Sequence, residues 1–193
     1  MWKLPLQKEV EELLVKSEDE IKQEGESDKF KRLQLYRKME DVELVLRFFA
    51  YRHLEKFKFS PSLDKFLDDY LKQANNLSDE VLHKLESIFK ETIELVYTIF
   101  GNSAFLLPAK MQKSKTPRKS VYDPLMQVFS KYLRYKSNLI KKAEIIRKER
   151  YSDKELLFLI DKNRELFDGR FSDQKDIQLR IDYFDNFLQQ YIQ

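Results

Sequence analysis

Five cations, Lys110, Lys113, Lys115, Arg118 and Lys119, fall within ten residues, beside Gln112, Ser114 and Thr116 and with no acid among them. Long, mobile cationic side chains at that density gain on meeting phosphates, because each contact releases condensed counterions. Lys131, Arg134, Lys136, Lys141, Lys142, Arg147, Lys148 and Arg150 extend the positive field, with Tyr132 and Tyr135 between them. This pattern fits recognition of a phosphate backbone and is silent on base specificity. The competing reading is a solvated loop followed by a basic helix face, with the tyrosines at the edge of a core.

Catalytic chemistry has much less to work with. The chain has no cysteine, so it offers no thiolate cage, disulfide or thiol nucleophile. His53 and His83 stand thirty residues apart, too few and too distant for a metal site without several carboxylates. They read as structural or surface histidines. The acid pairs Asp68-Asp69 and Asp79-Glu80 are sequence neighbours, which diverge by roughly 100° on a helix. Glu91 and Glu94 share a face, as exposed helix acids commonly do. Asp19-Glu20-Ile21-Lys22 spells part of a metal-dependent nuclease motif, but in a Glu-rich helical context rather than on paired strands. Phosphate-binding glycine loops and nucleophile elbows are absent. The expectation is a chain with no cofactor and no metal that is not an enzyme by itself.

A second group of charges is Arg37, Asp41, Glu43 and Arg47. On a helix Glu43 and Arg47 are i,i+4 neighbours with the acid first, the favourable order. Asp41 sits near the helix N-terminus, where the dipole favours an anion. A structural role is expected, with Arg47 buried and paired. The functional alternative is that Arg37 or Arg47 holds a nucleotide phosphate in a complete protein.

These groups sit in a chain of 193 residues, 42% of them hydrophobic, which is enough to bury a core. Three glycines and five prolines leave little punctuation for a β-sandwich or barrel. No apolar run reaches membrane-spanning length and Met1-Trp2-Lys3-Leu4-Pro5 lacks a signal-peptide core, so a cytoplasmic protein without membrane contact is expected. The net charge of +3 conceals an asymmetry: residues 110–154 carry 14 basic and 4 acidic side chains. Residues 61–109 carry 4 and 8, and residues 155–193 carry 5 and 8. The positive potential is thus concentrated in one quarter of the chain, which favours an anionic partner.

Helical periodicity organises nearly all of the chain. Residues 1–26 read as an N-terminal amphipathic helix closed at Gly25, and residues 27–193 as a helical domain. Met39–Leu54 has the widest apolar stripe and reads as the central helix. Ser60-Pro61 announces a helix carrying Leu63, Phe66, Leu67, Tyr70 and Leu71, broken at Asn75-Asn76. Ser78 starts a long helix with Val81, Leu82, Leu85, Ile88, Phe89, Val96, Ile99 and Phe100 inward, stopped by Gly101-Asn102. Residues 101–119 read as a long basic loop of the kind that is often functional. Ser120 is expected to cap the next helix, with a break near Ser137-Asn138 before Leu139–Arg147. Ser152 and Glu155 form a capping box before Leu156–Leu166, closed by Gly169, and Ser172 opens a last helix with Ile177, Ile181, Phe184, Leu188 and Tyr191 inward. The result is an all-α domain of seven to nine helices.

The stretch Arg37-Lys38-Met39-Glu40-Asp41-Val42-Glu43-Leu44-Val45-Leu46-Arg47-Phe48-Phe49-Ala50 resembles the helical region of GmrSD-type, ParB-like restriction endonuclease proteins. In that family the region follows an N-terminal nucleotide-processing domain. Ser62-Leu63-Asp64-Lys65-Phe66-Leu67, Phe100-Gly101-Asn102-Ser103-Ala104-Phe105, Arg118-Lys119 and Phe171-Ser172 follow in the family's order, so the similarity covers residues 28 to 193. The family's Asp-Gly-Gln-Gln-Arg motif has only Asp168-Gly169-Arg170 as a counterpart, late in the chain, and no His pair builds an HNH module. No catalytic residue carries over. The resemblance implies the helical part of a restriction or phage-defence system that contacts DNA and supports a ParB-like or nuclease partner. A protein-interaction scaffold without nucleic-acid contact is the alternative.

Overall fold

Apolar stripes and end signals produce seven α-helices in a computed structural model, which describes residues 40–54, 62–107, 117–150, 167 and 174–192. They are α1 (Glu40–Tyr51), α2 (Leu63–Ala74), α3 (Asp79–Phe100), α4 (Lys119–Lys131), α5 (Lys136–Lys141), α6 (Ala143–Glu149) and α7 (Gln174–Gln189). Short 3-10 turns occupy Gly101–Ser103 and Leu133–Tyr135. Among the described residues there is no strand, and the fold is all-α. No described helix is long and apolar enough to cross a membrane. The chain divides into two compact units, Met1–Val45 and Leu46–Gln193, with the boundary inside α1. The expected helix over 1–26, its boundary at 26/27, and the elements expected over 152–172 lie outside the described residues.

Helix ends follow local chemistry, with two shifts from the sequence reading. The cap of α2 is Ser62, whose Oγ accepts the Lys65 N–H at 3.2 Å. The Ser60-Pro61 signal is therefore displaced by two residues. Helix α3 starts after Ser78, with Asp79 and Glu80 in its first turn. It ends at Gly101, whose φ of 58° lies in the left-handed region that a side chain would strain. Arg118, not Ser120, occupies the N-cap of α4. Ser120 lies inside the helix and is buried, its Oγ donating to the Phe167 carbonyl at 2.7 Å.

The central helix is α4 rather than α1. Every residue from Ser120 to Ser130 is buried, and the helix packs against both α3 and α7. Val121, Tyr122, Leu125, Met126, Val128 and Phe129 supply the apolar surface. Pro124 sits within α4 and removes the backbone bond to Ser120, a cost tolerated here in a helix fully enclosed by packing. By contrast α1 leaves Val42 58% exposed. From Ala50 onward it joins a cluster of Tyr51, Leu54, Phe66, Leu67, Tyr70 and Ile177, contributed also by α2 and α7.

Helix α4 escaped recognition as the central element because it carries a polar row at Ser120, Asp123, Gln127 and Ser130. Those groups are satisfied internally. Asp123 accepts the Arg47 guanidinium, Gln127 Nε2 donates to the Phe48 carbonyl at 2.9 Å, and Arg52 Nη1 donates to Ser130 Oγ at 2.5 Å. Partners on α1 and the turn after it therefore meet α4 in matching order, forming a buried polar seam. Once hydrogen-bonded, such groups avoid most of the penalty of burial.

Three further expectations are revised. Val81 and Leu82, read as inward, are exposed, because the first turns of α3 extend beyond the partners that cover its C-terminal half. Residues 101–107 are a packed turn, with Ala104 and Leu107 buried, so the expected loop starts later than Gly101. The break near Ser137-Asn138 falls instead at Tyr132 and at Lys142. Across the second break the Lys142 N–H reaches the Asn138 carbonyl at 3.1 Å and the Ile146 N–H reaches the Lys142 carbonyl at 3.0 Å. Helical bonding thus persists, and Leu139 and Ile146, seven residues apart, both face the core.

Candidate nucleic-acid interface

Of the cations expected to meet phosphates, Lys110, Lys113 and Lys115 lie outside the described residues. The described ends of their segment meet: the Arg118 N–H donates to the Phe105 carbonyl at 2.9 Å. Arg118 and Lys119 are half-buried at the start of α4. Lys131 is exposed, and its ammonium donates to both Asp185 carboxylate oxygens at 3.0 and 2.9 Å. That hydrogen bond raises the Lys131 pKa and occupies the cation. Arg134 is exposed, with its guanidinium 4.8 Å from the Tyr135 ring centroid.

The segment's remaining charges divide into structural and outward-facing groups. Arg150 is buried, its guanidinium 4.4 Å from the Phe100 ring centroid and its Nη2 3.5 Å from the Leu106 carbonyl. Arg147 donates from Nε to the Ile99 carbonyl at 2.6 Å and from Nη2 to the Thr98 carbonyl at 3.3 Å. It thereby caps α3, which has no basic residue in its own last turn. Lys142 Nζ reaches the Tyr191 carbonyl at 3.1 Å. Arg134, Lys141 and Lys148 remain on the surface at intervals of seven residues, opposite buried Leu139 and Ile146. Arg134 lies in the 3-10 turn Leu133–Tyr135, Lys141 ends α5 and Lys148 lies in α6, so the three exposed cations form an interrupted ridge along this run of short elements. Tyr132 is buried and Tyr135 half-buried, as core-edge tyrosines would be.

The second charged group resolves differently. Arg37 lies outside the described residues, Asp41 is exposed and Glu43 is half-buried. Arg47 is buried, as expected, and its guanidinium is taken by Asp123 on α4, an acid from a different helix. Spacing along one helix could not show this partner, which comes from a different part of the chain.

Two recesses accompany these charges. One, of about 380 Å³, is lined by Arg52, Gln127, Lys131, Gln178, Asp182 and Asp185 among others. Within it Lys131 pairs with Asp185, Arg52 donates to the Ser130 hydroxyl and Gln178 donates to Asp182. The other, of about 420 Å³, lies along the C-terminal end of α3 and includes Ile93, Glu94, Tyr97, Asn102, Phe105 and Pro117. Nothing in the sequence reading singled out Tyr97. Its only signal is an aromatic placed off the apolar stripe of α3, and the residue is 60% exposed.

His53 lies 5.7 Å from the Tyr70 ring in a stacked arrangement, and exposed His83 sits 3.6 Å from Glu86 on its own helix. Among the described residues no three of His, Cys, Asp and Glu converge as a metal ion would require. No protein-family model, curated protein or solved structure matches the chain.

Proposed function

We propose that the chain is a non-catalytic helical module that grips DNA by its backbone through the basic segment 110–150. In this reading it supports a ParB-like catalytic domain or nuclease partner of a restriction or phage-defence system. The observation that carries the DNA contact is the outward ridge of Arg134, Lys141 and Lys148. Exposed cations on successive short elements can meet phosphates without losing stabilising contacts of the core. The partner half of the reading rests on the resemblance of residues 37–50 to the family's helical region.

Fluorescence polarisation with labelled duplex DNA across a salt series tests this. The wild-type protein binds, with affinity falling steeply as salt rises. The triple variant Arg134→Glu, Lys141→Glu, Lys148→Glu keeps its helical circular dichroism and loses binding. Salt-independent binding, or an unaffected triple variant, defeats the proposal.

A scaffold without nucleic-acid contact is favoured by one observation, the exposed Leu71, Val81 and Leu82 flanking the turn between α2 and α3. Light scattering after size exclusion, alone and with a ParB-like partner, addresses it. A strictly monomeric protein that ignores such partners counts against it.

A further inference from the structure

We propose that the groove beside Tyr97 receives an unpaired base, so that the nucleic acid held here is single-stranded or locally opened; this rests on the backbone-gripping reading above. Tyr97 is 60% exposed, so an aromatic side chain stands at the surface beside the groove. Its hydroxyl lies 3.5 Å from the Asn102 side-chain oxygen, which gives the ring a polar neighbour at the helix end. The groove it lines holds about 420 Å³, with apolar walls from Ile93, Phe105 and Pro117 and polar groups from Glu94 and Asn102. A flat aromatic with polar edges fits that combination. Its face would stack on Tyr97 while its edge donors and acceptors meet the Glu94 carboxylate and the Asn102 amide.

Cations border the groove. Lys136 Nζ lies 4.0 Å from Glu94, and Arg147 is fixed on the carbonyls of Thr98 and Ile99, the residues immediately after Tyr97. Both belong to the run of short elements, residues 133–149, that also carries Arg134, Lys141 and Lys148. The Phe105–Arg118 backbone bond also joins two described stretches of chain, residues 101–107 and 117–131, at this wall. Added at Gly101, a Cβ would meet nothing within 4 Å, which leaves that end of the groove open. In an intact duplex the bases stay stacked and paired, and a recess on the protein surface cannot take one without opening it.

Polarisation binding of a labelled oligothymidine and of an abasic deoxyribose-phosphate strand of equal length separates base from backbone. The wild-type protein prefers the thymidine strand about tenfold, the size of one base–aromatic stack. Tyr97→Ala erases that preference without weakening abasic binding, and Tyr97→Phe retains it. Equal wild-type affinity for the two strands overturns the proposal, as does a preference that survives Tyr97→Ala. In either case binding that is lost in Lys141→Glu leaves the backbone reading standing. Failure to bind either strand overturns the proposal, and the duplex titration decides the backbone reading separately. Polyglutamate competing as well as oligothymidine makes the face a general acceptor of acidic polymers and also overturns the proposal.

Discussion

Arg47 and Asp123, separated by 76 residues, meet as a buried bidentate pair, with Nε 3.0 Å from Oδ1 and Nη2 on Oδ2. The fork geometry of guanidinium on carboxylate gives strength and direction together. Asp123 also acts on a second buried guanidinium. Burial lowers the Arg180 pKa, and the nearby Asp123 carboxylate works against that. One acid thus stabilises two cations in the core.

Neutralising Asp123 therefore costs more than removing Arg47. Asp123→Asn leaves Arg47 and Arg180 buried with their shared anion gone, a loss of about 3–5 kcal/mol by the usual cost of breaking a buried pair. Arg47→Met deletes one cation, fills similar volume, and leaves Asp123 the field of Arg180. Urea unfolding of both variants gives the comparison, and equal or reversed losses show that Asp123 serves Arg47 alone.

The same seam sets an alkaline limit. Burial pushes the Tyr122 phenol well above its ordinary value of 10.0, and the Asp123 carboxylate adds to this while Arg47 opposes it. Burial raises Tyr70 as well, against the opposing charge of Arg52. A raised phenol leaves stability intact below the unfolded value and erodes it above, because the unfolded chain ionises first. The urea midpoint therefore stays level up to about pH 9 and falls as pH rises beyond about 10. Tyr122→Phe flattens that fall. An unchanged alkaline slope in the variant shows that Tyr122 does not set the limit.

Arg147 is expected to hold the end of α3 from 48 residues away, since its Nε reaches the Ile99 carbonyl. Arg147→Ala frees carbonyls next to the Gly101 reversal, at a cost of about 1 kcal/mol. Hydrogen exchange localises the effect, with faster exchange at Gly101 and Ala104 than in α7. Uniform change along the chain argues for a global rather than a capping role.

Periodicity made α2 and α7 legible, because Phe66, Leu67 and Tyr70, and likewise Ile177, Phe184 and Leu188, recur at helical spacing against a polar face. Asn75 and Gly101 announced their helix ends correctly. What stayed hidden was tertiary. The polar row of α4 resembles a solvent face until Arg47, Phe48 and Arg52 are placed on it. The basic segment reads as one surface, yet Arg147 and Arg150 are committed to the end of α3 and Lys142 to the Tyr191 carbonyl. Charge counts cannot separate a cation that caps from one that faces outward. Tyr97 was missed for a related reason, since only the surrounding turn shows that its ring borders a groove.

That division of the cations gives a final expected outcome with two readouts. Each phosphate contact on duplex DNA contributes about 0.9 to the slope of log affinity against log salt. Lys141 is on the exposed ridge, so Lys141→Ala lowers the slope by about that amount and leaves the melting temperature in place. Arg150 is buried over the Phe100 ring, so Arg150→Met lowers the melting temperature and leaves the slope of the folded protein unchanged. Arg134→Ala and Lys148→Ala behave like Lys141→Ala if the ridge acts as one surface. Calorimetry and polarisation on the same preparations read both quantities. A slope that responds to Arg150 but ignores the three ridge residues would place the phosphate contact elsewhere on the molecule, and the ridge would be only a solvated helix face.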